Sequence, residues 1–527
     1  MNLRDSLLDA LKSLPGTREF HIHTLVSAPT KAQELFQYAS PRPRVWQQHI
    51  IVLASEQPSI AQPGRVFVTA VEAYFYVIPS TRSGILYVSK VDSTGQGHKP
   101  SPTSTIVKEF IRFYIDPDTR PNLGGTSGLA EHVWVHVFAR AQGQYLFPNS
   151  SQFEGKKPLS DVKLCGWWKS VLTSVAEQLS KRAARKEGER IRLWNVLPGL
   201  NELEAFQILR PAIPTNLNPS TGSDSSSITW TYGHPSTQKP DDIDFIFLPC
   251  PADGKGKVTD GGYNLGRFIP SFEDDPKARF MDEIAHITNA DVIKSPVRKK
   301  AKKAADEDVH GAGRKDGSWI GELEKVTPEE YWERMSFRQE CVAGIVTGFF
   351  AMGSVSFPTR SGLGGLDSSA FAWQPGQVSS NITKRVMNSL MTGIEFSTVD
   401  RAVRGTETLE GAIKGMCEGI SAGVEIDPPR LREEDKRETP ERTERHDHLV
   451  FPPSTPPRRT GRGADPVATE ISPNPFPEPN ASLETYNSWI YGFICVDNPL
   501  PAKPSREREG TDRRITVLTV RKKRKKE

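Results

Sequence analysis

A mixed α/β fold, one sheet of neighbouring strands covered by helices, is predicted by three observations. Runs rich in β-branched and aromatic residues crowd the first hundred positions, turn residues separate them, and apolar residues at helical spacing follow. The runs are Phe20 to Val26, Val66 to Ile78 and Ile85 to Ser89, with Pro63-Gly64 and Ser83-Gly84 as turns. The covering helices are read from Ile106, Val107, Phe110, Ile111 and Tyr114, and from Leu164, Trp168, Val171, Val175 and Leu179.

Ahead of the sheet, Leu3, Leu7, Leu8, Leu11 and Leu14 share one helical face, and Pro15-Gly16 ends the helix. Arg4, Asp5, Asp9 and Lys12 interrupt it, so it lacks the apolar run of an export signal, and the protein is expected not to be exported. Ser104 is the candidate cap of the next helix, and Val133 to Ala139 reads as a further strand. The helix from about Val162 to Lys186 carries Lys181 and Arg182 near its C-terminus, where cations suit the dipole, and its N-terminal half is expected to be the buried half. Ile243 to Leu248 reads as a buried strand. Thr327, Pro328 and Glu330 make a cap, a first helical position and a capping-box acid for a helix running to about Glu340. Cys341 to Phe357 is the longest uncharged stretch. It falls short of the roughly 20 residues that span a bilayer and holds Gly344, Gly348 and Gly353, so a buried segment is expected and no membrane helix.

The 41 glycines and 42 prolines are unevenly spread, which predicts that only part of the 527 residues packs into a core. The folded domain is expected over residues 1–426, interrupted at about 294–317 by a charged stretch too poor in apolar surface to offset its ordering entropy. Residues 427–480, dense in Pro, Arg and Glu, read as a disordered arm. Tyr486 to Val496 returns to β-like composition, so residues 481–500 are expected to fold back on the domain, ahead of a basic tail over 501–527. A net charge of +4 does not by itself imply nucleic-acid binding. The positive runs Arg298 to Lys303 and Arg521 to Lys526 fit nuclear import signals, with nonspecific nucleic-acid contact or a solvated tail as alternatives. Five scattered cysteines without a CxxC pair point to a reducing compartment and no metal, and His21 with His23 on one strand face lacks a third ligand. The glycines of Ser361 to Leu366 lack the context of a phosphate loop.

Three segments concentrate polar and aromatic residues. Gln144 to Ser151 leads to Trp167-Trp168, where the indoles either fill a core or wall a slot for a long aliphatic side chain. Glu273-Asp274-Asp275 before Pro276 is either a helix N-terminus capped by Asp274 or Asp275, with Lys277 and Arg279 pointing to water, or a carboxylate placed to accept a proton from, or hydrogen-bond to, an incoming ammonium. Tyr87 to Ser101 is a strand running into a polar loop and a helix, either an ordinary connection or a pyrophosphate site built from backbone N–H groups, hydroxyls and Lys99.

At these segments the chain resembles the fungal histone acetyltransferase family first named as a regulator of Ty-element transposition, related in fold to the CREB-binding-protein acetyltransferases. The resemblance rests on Val88 to Asp92, Gln144 to Pro148 with Ser150-Ser151, Trp167-Trp168, Asp274 to Phe280, Tyr331 to Glu340 and the basic tail, in the family's order. It implies a central mixed sheet surrounded by helices, acetyl-CoA as acetyl-donating substrate, and a tunnel for the accepting lysine. Asp275 falls on the family's catalytic aspartate, Asp274 beside it, Trp168 on the tunnel tryptophan and Asp92 on a further sensitive acid. Lys277 falls on a buried lysine that these enzymes acetylate on themselves. Cofactor contacts are implied for Val91, Asp92, Ser93, Gly97, His98, Lys99, Ser101, Phe138, Gln142, Lys157, Pro158, Leu159 and Trp167.

By the same resemblance the acceptor is lysine of newly made histone H3 in H3–H4, presented with chaperones of the anti-silencing-function and nucleosome-assembly-protein types. The setting implied is the nucleus, replication-coupled nucleosome assembly and DNA-damage tolerance. No cysteine falls within these motifs to serve as an acyl carrier, so direct attack of the amine on the thioester is expected. The competing reading is a non-catalytic chromatin scaffold that holds chaperones or nucleic acid through its basic arms.

Overall fold

The computed structural model describes residues 2–32, 34–39, 42–57, 64–120, 132–183, 190–212, 228–235, 269–290, 323, 326–338, 345–355, 374–419 and 482–500. The expected strand Ile243 to Leu248, the 294–317 insertion, the glycines of 361–366, the 427–480 arm and both basic runs lie outside the described residues.

Eleven strands form one mixed sheet among the described residues. They are β1 (Gly16–Ser27), β2 (Thr30–Lys31), β3 (Trp46–Glu56), β4 (Val66–Ile78), β5 (Ser83–Ser93), β6 (His132–Ala139), β7 (Arg190–Val196), β8 (Trp230–Tyr232), β9 (Gly348–Val355), β10 (Gln377–Val378) and β11 (Tyr491–Asn498). The order is β10-β1-β3-β4-β5-β6-β9-β7-β8, with β11 on β1 and β2 on β3. The β1–β3–β4–β5 pairs and both pairs of β9 are antiparallel, whereas β5 and β6 are parallel. Helix α2 (Thr103–Ile115) makes the crossover between those two strands.

Both faces of the sheet are covered, so its central strands are apolar throughout rather than alternating. On one face Ile50, Val52, Val71, Phe75 and Leu86 pack with α1 (Leu3–Leu11), α2 and α3 (Asp161–Ala183). On the other, Ile51, Leu53, Phe67 and Ala70 pack against α7 (Ser380–Thr392) and α8 (Val399–Gly419). Further along that second face Tyr76, Tyr87, Trp134 and Trp194 meet Phe272. Val196 and Phe349 meet α5 (Pro276–Ala290) and α6 (Pro328–Ser336). A short α4 (Glu202–Leu209) carries a full capping box at Asn201 and Glu204.

Strand β3 is absent from the sequence reading, because His49 to Ser55 lacks period-two alternation. Ser104 is not a cap: α2 starts at Thr103, with Pro102 before it. In α3 burial continues from Cys165 to Leu179, past the expected N-terminal half, because α2 lies along it. Thr327 does cap α6, accepting from Glu330 N–H at 3.2 Å, but the helix ends at Ser336, short of Glu340. The uncharged stretch contributes β9, buried along its whole length. No helix among the described residues is long and apolar enough to cross a membrane. Residues 491–498 lie antiparallel to 16–23, joining the far end of the described chain to its start.

Candidate active site

A cleft of about 330 Å³ opens where the parallel strands β5 and β6 end, the crevice in which open α/β sheets place ligands. Strand β5 supplies Val88 to Ser93, the start of α2 supplies Ser101, Thr103 and Ser104, and β6 with its exit supplies Phe138, Arg140 and Gln142. Tyr145, Lys156 to Leu159, Leu164, Trp167 and Trp168 close it. Trp167 and Trp168 meet edge to face with centroids 4.8 Å apart, and Trp168 both lines the cleft and packs in the core.

Asp92 organises this cleft. Its Oδ2 accepts from the N–H groups of Tyr145, Leu146 and Phe147 at 2.8, 2.9 and 3.1 Å, and its Oδ1 from Ser93 N–H at 2.8 Å. Lys156 Nζ completes the set at 2.8 Å from Oδ1. Lys156 can lie so close because Gly95 has φ +76° and no Cβ, which would stand 2.6 Å from Lys156 Cα.

Most of the expected cofactor residues meet here: Val91, Asp92, Ser93, Ser101, Phe138, Gln142, Lys157, Pro158, Leu159 and Trp167. Gly97, His98 and Lys99 are not among the lining residues. Their loop turns instead to a buried ion pair. Arg18 Nε and Glu56 Oε1 are 2.7 Å apart, Arg18 also donates to the Pro100 carbonyl at 2.9 Å, and His98 Nδ1 meets Glu56 at 2.7 Å. A Cβ on Gly97 would come within 2.7 Å of Val68. Sequence reasoning missed Gly95, Thr103, Ser104, Arg140, Tyr145, Lys156 and Leu164 as lining residues. Arg140 and Lys156 carried a signal, as loop cations flanking the quoted motifs.

The two neighbouring aspartates face different ways. Asp274 accepts from the Tyr87 hydroxyl and from Ser89 Oγ, each at 2.6 Å, and its side chain is 36% exposed. It lines a second, wider groove of about 1390 Å³ that shares Ser89 and Lys90 with the cleft. Asp275 is fully buried and lines neither space. It both caps α5, accepting from Lys277 N–H at 2.8 Å, and pairs with the Lys277 ammonium. The expectation that Lys277 points to water on the cap reading does not hold, since it is 2% exposed and lies 4.4 Å from the centroid of Phe349.

Burial pushes the Asp275 carboxyl up, against the pull of Lys277, and pushes the Lys277 ammonium down, against the pull of Asp275. His136 and His234, with rings 5.3 Å apart, are also held neutral there. Burial and then Lys277 bring His136 down to about 3. The pocket behind Asp274 thus disfavours every net charge except a matched pair. His21 and His23, by contrast, each meet a tyrosine hydroxyl, His21 Nδ1 at 2.7 Å from Tyr491 and His23 Nε2 at 2.9 Å from Tyr486.

The histone acetyltransferase KAT11-type domain family matches residues 7–120 and 126–411 of this chain. Among curated proteins, a histone acetyltransferase rtt109 of Aspergillus flavus is 26% identical over 362 residues, covering 64% of this chain and 54% of the relative. A histone acetyltransferase rtt109 of Schizosaccharomyces pombe is 24% identical over 308 residues, covering 57% and 60%. Each match therefore spans less than two thirds of the relative. The crystal structure of Rtt109 from Aspergillus fumigatus superposes with a TM-score of 0.54 at 22% identity, covering 78% of this chain and 94% of that one, which is a likeness of fold.

Proposed function

The chain belongs to the KAT11-type histone acetyltransferase family, and from that premise we propose that it transfers acetyl from acetyl-CoA to a histone lysine. The acceptor in this reading is histone H3 within H3–H4, in the nucleus. Chaperones of the anti-silencing-function and nucleosome-assembly-protein types present it, in support of replication-coupled nucleosome assembly and DNA-damage tolerance. One observation carries the reading: a partly apolar cleft and an open groove share Ser89 and Lys90 as their common wall, with Asp274 hydrogen-bonded to Ser89. A donor held in the cleft and a lysine entering from the groove meet at that wall.

The cleft suits acetyl-CoA. Trp167, Trp168, Leu164 and Phe138 offer apolar surface to the pantetheine arm, and the α2 N-terminus with Arg140 and Lys157 offers N–H groups and charge to the phosphates. In the reaction the neutral lysine nitrogen attacks the thioester carbonyl, the C–N bond forms, the C–S bond breaks, and the departing CoA thiolate takes up the second proton of the nitrogen to leave as the thiol. The nitrogen must first shed a proton, since a free lysine ammonium has a pKa near about 10.4. Asp274 is the carboxylate that an incoming ammonium can touch. Asp275 supports it from behind with a carboxyl whose proton affinity burial has raised. Acetylation of Lys277 would remove the buried ammonium that now balances Asp275. Direct transfer is favoured because Cys165 is fully buried and its thiol is pushed up to about 12 by that burial.

The test is transfer of labelled acetyl from acetyl-CoA to H3–H4, with and without chaperone, comparing the wild type with Asp274→Asn and Asp275→Asn and mapping the modified lysines by mass spectrometry. A loss of about a hundredfold or more in each variant, with folding retained, is expected for groups that handle the proton. A folded wild type that binds histones yet transfers nothing would establish the scaffold reading instead.

A further inference from the structure

A β-bulge on β5 builds a charge chain that the reaction as described leaves unused. Between β4 and β5 the register steps from Glu72 opposite Lys90 to Ala73 opposite Val88, so Ser89 is the extra residue. Neighbours on a regular strand face opposite sides, and an extra residue cancels that alternation locally. Ser89 and Lys90 therefore both reach one oxygen. Ser89 Oγ donates to Asp274 Oδ2 at 2.6 Å, and Lys90 Nζ stands 3.6 Å from it.

Lys90 is held more closely from the other side. Its ammonium donates to Glu72 Oε2 at 2.7 Å and to Ser89 Oγ at 3.2 Å. Glu72 is 4% exposed, and its Oε1 also meets His49 Nε2 at 3.1 Å and the Tyr74 hydroxyl at 3.3 Å. His49 is stacked on Tyr74 with centroids 4.7 Å apart, which fixes the far end of the chain. Burial disfavours the Lys90 ammonium, but Glu72 and then Asp274 more than offset this, so it stays charged.

One cation is thus shared unequally between a buried carboxylate and the carboxylate that faces the groove. A substrate lysine is a second cation and must compete for the same Asp274 oxygen. We propose that Glu72 and Lys90 are a positioning pair that sets how available Asp274 is to the substrate: Lys90 is the resident cation, and Glu72 draws it aside. This rests on the reading that Asp274 meets the acceptor lysine.

The pair makes predictions of opposite sign for the full-length protein in steady-state assays with acetyl-CoA and an H3 peptide. Lys90→Met removes the competitor and lowers the peptide KM about fivefold, the scale of one partly exposed ion pair. Glu72→Gln keeps the shape but frees Lys90 to move onto Asp274, raising the peptide KM by about the same factor. The double variant has the KM of Lys90→Met alone, because Glu72 acts only through Lys90. A purely structural role would shift both single variants the same way. An unchanged or raised peptide KM in Lys90→Met overturns the proposal whether or not Glu72→Gln folds. A raised acetyl-CoA KM with peptide KM unchanged would make Lys90 a donor contact and overturn it too. Asp274→Asn in the same assay separates the two levels. No effect there sinks the reading of Asp274 itself, whereas impaired transfer there with flat KM values in the Lys90 and Glu72 variants sinks the pair alone.

Discussion

Asp92 and Asp275 are two carboxylates removed from water almost equally, 5% and 0% exposed, and they solve that problem by opposite means. Asp92 collects four backbone N–H groups and one lysine. Asp275 has one backbone N–H and a single buried lysine whose own charge burial opposes. Backbone donors cannot be titrated or withdrawn, so the Asp92 set is a fixed one that shapes the loop under the cleft. A lone lysine can lose its charge, so the Asp275 pocket is where a proton can be exchanged. Carboxylates of equal burial are told apart by whether their partners are permanent.

Breaking the permanent set is expected to have the largest effect on stability. Asp92→Ala strands the donors around Tyr145 to Phe147 together with Lys156, and should cost roughly 3–5 kcal/mol, the scale for removing one side of a buried ionic network. Urea unfolding measures this, and calorimetry should show weakened acetyl-CoA binding. A cost below that of any change at Asp275 or Lys277 would reverse the comparison.

Removing the lone lysine should be milder, because Asp275 can respond by taking a proton. Lys277→Met is expected to cost about 2–3 kcal/mol near neutral pH. The sign with pH follows from a native carboxyl pKa raised above its unfolded value. The folded variant then holds the proton that the unfolded chain has lost, and the penalty shrinks as pH falls toward the unfolded value near about 3.9. Unfolding curves of variant and wild type that stay parallel in pH would show that Asp275 does not titrate.

The smallest effect is expected from the neutral histidines. His136 has a native pKa of about 3 against the model-peptide 6.5, so below pH 6.5 the unfolded chain binds a proton that the folded one refuses. Stability should therefore fall as pH drops from 6.5 toward 3, by on the order of 2 kcal/mol per such histidine at pH 5. His136→Phe should flatten that slope whatever it does to stability at pH 7. An unchanged slope would mean that the pocket admits the charge.

Sequence signals were strongest where structure is local. The leucine face of α1, the β-branched run of β4 and the Thr327 cap can all be read from neighbouring residues. Strand β3 could not be, since burial on both faces removes the alternation that marks a strand. At the site, the segment from Tyr87 to Ser101 was open to a plain-loop reading, and its role at the cleft depends on a crossover that brings β6 alongside. The cap reading of Asp275 holds, but the ammonium it meets is that of the chain's own Lys277, two residues on, and the acid that faces open space is its neighbour Asp274. Glu72 carried no signal and Lys90 only as a letter of the Val88 to Asp92 motif, because a bulge, a register property of two strands, brings Lys90 toward Asp274.

The pairing of β11 with β1 also sets a timetable for making the protein. The β1 edge at residues 16–23 leaves the ribosome well before its antiparallel partner at 491–498, with the whole sheet between them in sequence. At roughly 5–20 residues per second, that edge waits on the order of a minute for its partner. Throughout that interval it presents unpaired N–H and C=O groups to every other nascent chain in reach. Yield in cells should therefore respond more to holdase supply and elongation rate than the stability of the finished domain would suggest.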